Sequence, residues 1–323
     1  MAKTILVTGG AGFIGSNLVR ALNERGEENI IIVDHLGCSD KWQNLVGLHY
    51  ENYIDKAEFR AALWDNRDWP IDTVFHIGAC SNTTEKDADY LADNNYHYTR
   101  ELCEWALTHD VRFIYASSAA TYGDGSKGYS DADDVTPTLH PLNMYGYSKH
   151  MFDLWALRNG LLDRIAGIKY FNVYGPGETH KADQRSMVHK AFEQIRDTGE
   201  VRLFKSYRDE YADGEQLRDF LYVRDAVEVT LFFRDHPDVS GLFNCGTGQA
   251  RTWNDLAAAA FSAMDCEPHI EYIEMPEALQ GKYQYYTQAD MDKLRTAGFD
   301  KPFCSLEEGI RTYIQDDLLP EKS

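Results

Sequence analysis

No stretch of the sequence approaches the roughly 20 consecutive apolar residues that a membrane-spanning helix requires, so no span is expected. The start, Met1-Ala2-Lys3, leads straight into an apolar run without the layout of a signal peptide. Cysteine is sparse and scattered. Cys38, Cys80, Cys103, Cys245, Cys266 and Cys304 form no CxxC pair, so neither a disulfide framework nor a zinc or other metal site is expected. They read as small buried hydrophobes in a protein of the reducing cytoplasm. Positive charge is also short. Lys and Arg total 32 against 52 Asp and Glu, a net charge of −20. Such a chain repels phosphate backbones at long range, so nucleic acid and anionic membranes are not expected partners. An anionic ligand would need cations gathered locally. Internal repeats and low-complexity tracts are absent. What is present is ordinary globular composition, 43% apolar and 26% charged. At roughly 150 residues per domain, 323 residues predict about two domains.

The hydrophobic pattern alternates between strand and helix. Lys3–Thr8 is a β-branched run with no helical period and reads as a buried strand. Gly9–Gly12 breaks it. Phe13–Arg25 follows, with apolar residues at 13, 14, 18, 19 and 22 on one helical face, and Gly26 ends it. Asn29–Val33, Thr73–Ala79, Arg112–Ser117 and Ile165–Phe171 repeat the strand pattern. Helical segments near Thr99–Thr108 and Ser148–Asn159 intervene. This order predicts an α/β fold, a doubly wound parallel sheet covered on both faces with right-handed crossovers. After Tyr174 the alternation weakens. Gly175–Asp183 and Tyr207–Gln216 read as loops, the second a candidate lid. Asp219–Arg234 reads as strand then helix, Trp253–Met264 as a helix and His269–Ile273 as a strand.

Three motifs carry chemistry. Thr8-Gly9-Gly10-Ala11-Gly12-Phe13-Ile14-Gly15 lies between a strand and a helix. Its glycines allow a tight turn, close approach to a pyrophosphate and close helix–strand packing, while the free amides of the helix start face the phosphates. Asp34, at the end of the second strand, stands where a carboxylate meets a ribose hydroxyl. In Tyr145-Gly146-Tyr147-Ser148-Lys149, residues four apart share a helix face. A nearby ammonium favours phenolate and lets Tyr145 exchange a proton with a substrate hydroxyl. In Ala116-Ser117-Ser118-Ala119-Ala120-Thr121-Tyr122-Gly123, Ser118 follows a strand and is placed to bond the reacting oxygen.

Order and spacing together resemble the extended short-chain dehydrogenase/reductase family over nearly the whole chain. Asp225, in Phe220-Leu221-Tyr222-Val223-Arg224-Asp225, and Phe243-Asn244-Cys245-Gly246-Thr247-Gly248 resemble its later landmarks. A narrower resemblance is to the ADP-L-glycero-D-manno-heptose 6-epimerase family. It rests on Phe75-His76-Ile77-Gly78-Ala79-Cys80-Ser81, Asp93-Asn94-Asn95-Tyr96, and Tyr170 through Pro176 with His180-Lys181. Gly281-Lys282-Tyr283-Gln284 and Thr287-Gln288-Ala289-Asp290 add to it. The chain departs from that family at His35, usually Asn, at Ala182-Asp183-Gln184-Arg185-Ser186, and in a longer 207–216 segment.

The resemblance implies a Rossmann-type sheet with a smaller, interleaved C-terminal substrate domain. The first domain would be 1–170 with returns near 219–243 and 286–299, the second 171–218, 244–285 and 300–323. It implies an isomerase that oxidises carbon 6 of an ADP-heptose to a ketone and returns hydride to the other face, in lipopolysaccharide inner-core precursor synthesis. Tyr145 and Lys181 would be the two proton carriers, with Lys149 and Ser118 assisting. The cofactor would be NADP. It would be held by Gly9, Gly12, Phe13, Ile14, Gly15, Asp34, His35, Lys41, Lys56, Ile77, Gly78, Ala79, Cys80, Ser81, Asn94, Lys149, Val173 and Lys181. Here Lys41 and Lys56 would offset Asp34, which taken alone favours NAD. The ADP-sugar would meet Ser118, Asn172, Asp183, Lys190, Phe204, Lys205, Ser206, Tyr207, Arg218 and Tyr283, with Arg208 a further candidate cation. A homo-oligomer, a pentamer by resemblance, is implied. The alternatives are another nucleotide-sugar epimerase or dehydratase of the same fold, or a non-catalytic NADP-sensing protein. A dehydratase would want an acidic residue beside Ser118, where Ala119-Ala120 stand. A sensor would be expected to lose the Tyr–Lys pair.

Overall fold

The β-branched segment β1 (Thr4–Thr8) is buried throughout and is an interior strand of a seven-stranded sheet. The computed structural model describes residues 4–65, 70–280 and 283–320. Lys3, expected to open β1, and Gly281-Lys282 of the last motif lie outside them. Helix α1 (Phe13–Glu24) follows β1, and β2 (Ile30–Asp34), β3 (Asn52–Asp55) and α2 (Lys56–Ala62) come next. The chain continues through β4 (Ile71–His76), α3 (Ala88–Leu91), α4 (Tyr98–Thr108), β5 (Arg112–Ser118), α5 (Met144–Arg158) and β6 (Ala166–Tyr170). Then come β7 (Asn172–Tyr174), α6 (Met187–Thr198), β8 (Val201–Phe204), β9 (Leu217–Tyr222) and α7 (Val223–Asp235). Last are β10 (Gly241–Cys245), β11 (Ala250–Thr252), α8 (Trp253–Ala263), β12 (Ile270–Ile273) and short C-terminal helices.

The large sheet runs β10-β6-β5-β4-β1-β2-β3, and every pairing in it is parallel. This is the doubly wound Rossmann-type arrangement that the alternation predicts. The strand order reverses between β1 and β4. A crevice opens outside the carboxyl ends of the strands at such a reversal, and ligands bind there. His76 braces this point: Thr8 Oγ1 lies 2.8 Å from its Nδ1 and Thr99 Oγ1 2.8 Å from its Nε2. Burial and the Lys149 ammonium push the His76 imidazole down to about 3, so it is neutral at pH 7.

Apolar side chains fill both faces of the large sheet. Leu18, Val19 and Leu22 of α1 pack with Ala226, Val229 and Phe233 of α7 on one face. Leu102, Trp105 and Ala106 of α4 pack with Phe152 and Ala156 of α5 on the other. A third core, with Val188, Phe192 and Ile195 of α6 against Leu256, Ala260 and Phe261 of α8, sits with two small sheets, β11-β9-β7 and β12-β8.

Some boundaries differ from the sequence reading. The strand expected over Thr73–Ala79 ends at His76; beyond it the Gly78 N–H turns to the Thr8 side chain, and the Cys80 backbone bonds the Asn95 amide. The helix expected from Ser148 begins at Met144, where the Asn143 side chain accepts the Gly146 N–H at 2.8 Å and nucleates the first turn. The cysteines are free, but the expectation that all are buried fails. Cys103 and Cys245 are buried, whereas Cys38 and Cys266 lie exposed in polar turns. No helix among the described residues is long and apolar enough to cross a membrane.

Candidate active site

The turn after β1 needs its glycines. Gly9 has φ +71°, and a Cβ there would stand 2.5 Å from Gly78 Cα. A Cβ on Gly15 would stand 2.1 Å from Gly9 O. The glycines thus let the turn pack against the Ile77–Gly78 segment and the start of α1, Gly9, Gly12 and Gly15 line a cavity, and the first turn of α1 holds no acidic residue and no side-chain cap. This bare, positively polarised helix start fits a dinucleotide phosphate.

A cavity of about 940 Å³ extends from this turn along the carboxyl ends of β1, β4, β5 and β6 to β8 and α8. Among the described residues it is lined by Lys41, Lys56, Lys149, Lys181, Arg185, Lys190 and Arg202, with Asp34 and Glu178 as its carboxylates. Cations are thus concentrated here despite the acidic total.

At the dinucleotide end, Asp34 is almost fully engaged by the protein. Its carboxylate accepts the N–H of Ala11 at 2.9 Å and of His35 at 2.7 Å, and pairs with Lys41 Nζ at 2.5 Å. Lys56 donates to Asn94 Oδ1 at 2.6 Å. Ile77, Gly78, Ala79, Cys80 and Ser81 form one wall. Asn95 fixes that wall: its amide brackets the Cys80 backbone at 2.8 and 2.9 Å and donates to Ser148 Oγ at 3.0 Å. A π-helical segment at Ala92–His97 brings Asn94 and Asn95 inward together.

At the centre, Ser118, Tyr145 and Lys149 share the cavity wall. Lys149 is buried, its Nζ donating to Ala116 O at 2.8 Å, and burial pushes its ammonium down to about 8. Burial raises the Tyr145 phenol, while a hydrogen bond with the Ser118 hydroxyl pulls it the other way. The expected phenolate is therefore not favoured by these protein groups alone.

Lys181 lies in the loop after β7, its Nζ 5.4 Å from the centroid of the Phe13 ring beside the Gly turn. Burial lowers its pKa and Glu178 partly opposes this. Glu178 is itself buried and accepts Ser186 Oγ at 2.7 Å. Ser186 caps α6 through His189 N–H. The Lys181 loop is thereby folded onto the start of α6.

Of the expected sugar-side residues, Ser118, Asn172, Lys190, Phe204 and Tyr283 line the cavity. The others lie outside its walls. Arg218 is buried behind them, its guanidinium 5.1 Å from the Tyr283 ring and 5.6 Å from the Trp253 ring, donating to the carbonyls of Leu217 and Gln284. Lys205 and Tyr207 both engage Glu274, the former at 2.6 Å. Ser206 N–H donates to Asp213 Oδ1 at 2.7 Å, and the Asp183 carbonyl accepts Lys190 Nζ at 2.6 Å. Arg208 lies 4.5 Å from the Tyr285 ring and lines a separate cavity of about 220 Å³.

Comparison with known proteins identifies the scaffold. The model of the NAD dependent epimerase/dehydratase family matches residues 5–246. A protein of Nitratidesulfovibrio vulgaris named ADP-L-glycero-D-manno-heptose-6-epimerase is 56% identical, the match covering 97% of each chain. The chain belongs to this epimerase family. A Fusobacterium nucleatum member is 47% identical over 99% of each chain. The crystal structure of the Helicobacter pylori epimerase of the same name superposes with a TM-score of 0.81 at 29% identity, covering 97% of this chain and 96% of that one. The resemblance drawn from the motifs is borne out.

Several cavity residues carried no expectation. Arg185 and Arg202 add charge, Tyr90 and Trp253 add aromatic wall, and Glu178 orients the Lys181 loop, while Asn95 braces the Cys80 wall from behind the cavity. Arg185 stood inside the segment noted as departing from the family pattern. Arg202 alternates with buried Val201 and Leu203 on β8, which marks an edge strand but not a site.

Proposed function

We propose that the chain inverts carbon 6 of an ADP-glycero-manno-heptose, supplying precursor for the lipopolysaccharide inner core. One observation carries this reading: the Gly turn, the Ser118–Tyr145–Lys149 group and Lys181 open into the same cavity, in a chain 56% identical to a named heptose epimerase.

A bound nicotinamide dinucleotide supplies reversible hydride acceptance. The chain's own groups do the rest. The amides at the start of α1 hold the pyrophosphate. Lys149, anchored on Ala116 O, brings positive charge to the centre, and only together with the charge of an oxidised nicotinamide would it favour phenolate at Tyr145. Ser118 orients the sugar oxygen, and Tyr145 exchanges its proton. Inversion presents the oxygen from two directions, so a second proton carrier is needed. Lys181, whose burial brings it nearer to neutral, takes that role.

We further propose NADP over NAD. Asp34 is engaged by two amides and Lys41, which neutralises the carboxylate that would repel a 2′-phosphate. Lys56 adds a second cation on the same wall. The division into a dinucleotide domain around the large sheet and a sugar domain around α6 and α8, a homo-oligomeric (pentameric) assembly and a cytoplasmic location belong to the same proposal. Sedimentation equilibrium tests the assembly. Incubation with ADP-D-glycero-D-manno-heptose, followed by stereochemical analysis at carbon 6, tests the function. Recovery of unchanged substrate would overturn it.

A further inference from the structure

Asp153 and Lys169 form an ion pair of 3.2 Å, and neither side chain is accessible to solvent. Two charges are rarely buried so completely unless their remaining bonding capacity is met. Here it is met by groups next to the site. Asp153 accepts Ser117 Oγ at 2.7 Å and Tyr115 OH at 3.0 Å, both from β5. Lys169, paired in register with Ser117 across β5 and β6, donates to Thr121 Oγ1 at 2.7 Å and lies 4.8 Å from the Tyr122 ring centroid. Thr121 in turn donates to the Ser118 carbonyl at 2.8 Å.

Three consecutive β5 residues are therefore tied to one assembly. Ala116 O holds Lys149, Ser117 holds Asp153, and Ser118 is held through Thr121 and Lys169. Asp153 is also one turn beyond Lys149 on α5, on the same face.

We propose that Asp153 and Lys169 are positioning residues. They clamp α5, and with it Lys149, to β5 and the turn beyond it. This rests on the roles given to Ser118 and Lys149 above. Burial drives the Lys149 ammonium down, and Asp153 is the largest influence raising it again. The other groups facing Lys149 are His76 from β4, Cys80 from the following loop and Tyr145 from its own helix. Those facing the pair are Tyr115, Tyr122, Asp131, His150 and Lys293.

The sign of the effect differs between the partners. Asp153→Asn removes the anion that favours the Lys149 ammonium, so Lys149 loses its proton at lower pH. Lys169→Met removes a competing cation and leaves Asp153 uncompensated, so Lys149 loses its proton at higher pH. The double variant buries neither charge, which preserves the fold should a single variant fail. The nearer carboxylate dominates, so the double variant falls between Asp153→Asn and wild type.

The test is the titration of Lys149 in the full chain labelled with ¹³C at lysine Cε, its resonance assigned through Lys149→Arg. The expected displacement in Asp153→Asn is downward by roughly one pH unit, with Lys169→Met moving upward. With ADP-heptose, the alkaline limb of kcat should move in the same directions. Folded variants in which the Lys149 titration does not move would overturn the proposal and leave the pair a packing feature. So would a double variant identical to wild type. Failure of the wild type to turn over ADP-heptose would instead sink the proposed function, while the titration would still read the pair.

Discussion

Gly15→Ala tests the turn on which the dinucleotide reading depends. The added methyl would stand 2.1 Å from Gly9 O and 2.7 Å from Gly9 C, both backbone atoms. Gly9 cannot retreat. Its N–H donates to Val33 O at 2.7 Å, its carbonyl accepts Gly12 N–H at 2.9 Å, and Gly78 backs it on the far side. The start of α1 must move instead. Overpacking of this kind costs about 1–3 kcal/mol. Alanine recovers up to about 1 kcal/mol through helix propensity. With that recovery the expected net loss of stability is about 0–2 kcal/mol, read as a urea midpoint equal to or below that of the wild type. Binding should suffer more. Two amide bonds to phosphate at about 1.5 kcal/mol each amount to roughly a hundredfold in Kd. Calorimetry with NADP on the ligand-free chain measures it. Wild-type affinity in a folded Gly15→Ala protein would refute the placement of the pyrophosphate at this turn.

Tyr145→Phe should keep fold and dinucleotide affinity while kcat falls by roughly 10² to 10⁴, because only the proton carrier is deleted; near-normal turnover would end that role. Lys181→Met should lower kcat at saturating substrate with little change in KM. A raised KM with kcat intact would mean that Lys181 only binds substrate. Replacing Lys41 and Lys56 together by Ala should shift the NADP-to-NAD ratio of dissociation constants toward NAD by at least about tenfold. An unchanged ratio would show that neither lysine reads a 2′-phosphate.

Much of this was legible in the sequence, and the reasons differ by element. The Gly turn, Tyr145 with Lys149, and Ser118 are local: a strand–turn–helix or a four-residue helical spacing places each of them, and all open into the cavity. Helix α6 carries a signal of its own that the strand–helix alternation does not reveal. Val188, Ala191, Phe192 and Ile195 make a clean helical face, but it follows a polar loop where the strand–helix alternation had faded. The strands β3 and β8, at four residues each, are too short for a period to show. The position of Arg218 is a different matter. The resemblance implies that this residue meets the ADP-sugar, while Trp253 and Tyr283 lie against its guanidinium from segments distant in sequence. Asn95 and Glu178 likewise act through bonds to Cys80, Ser148 and Ser186 that only the assembled fold brings into reach.

The most direct test of the central claim uses ADP-heptose carrying deuterium at carbon 6. An enzyme that withdraws hydride from that carbon and returns it to the other face should give product of inverted configuration that retains the deuterium, with no solvent hydrogen incorporated at carbon 6. Inversion with loss of the deuterium to solvent would contradict the account, because it would mean removal of a proton rather than a hydride.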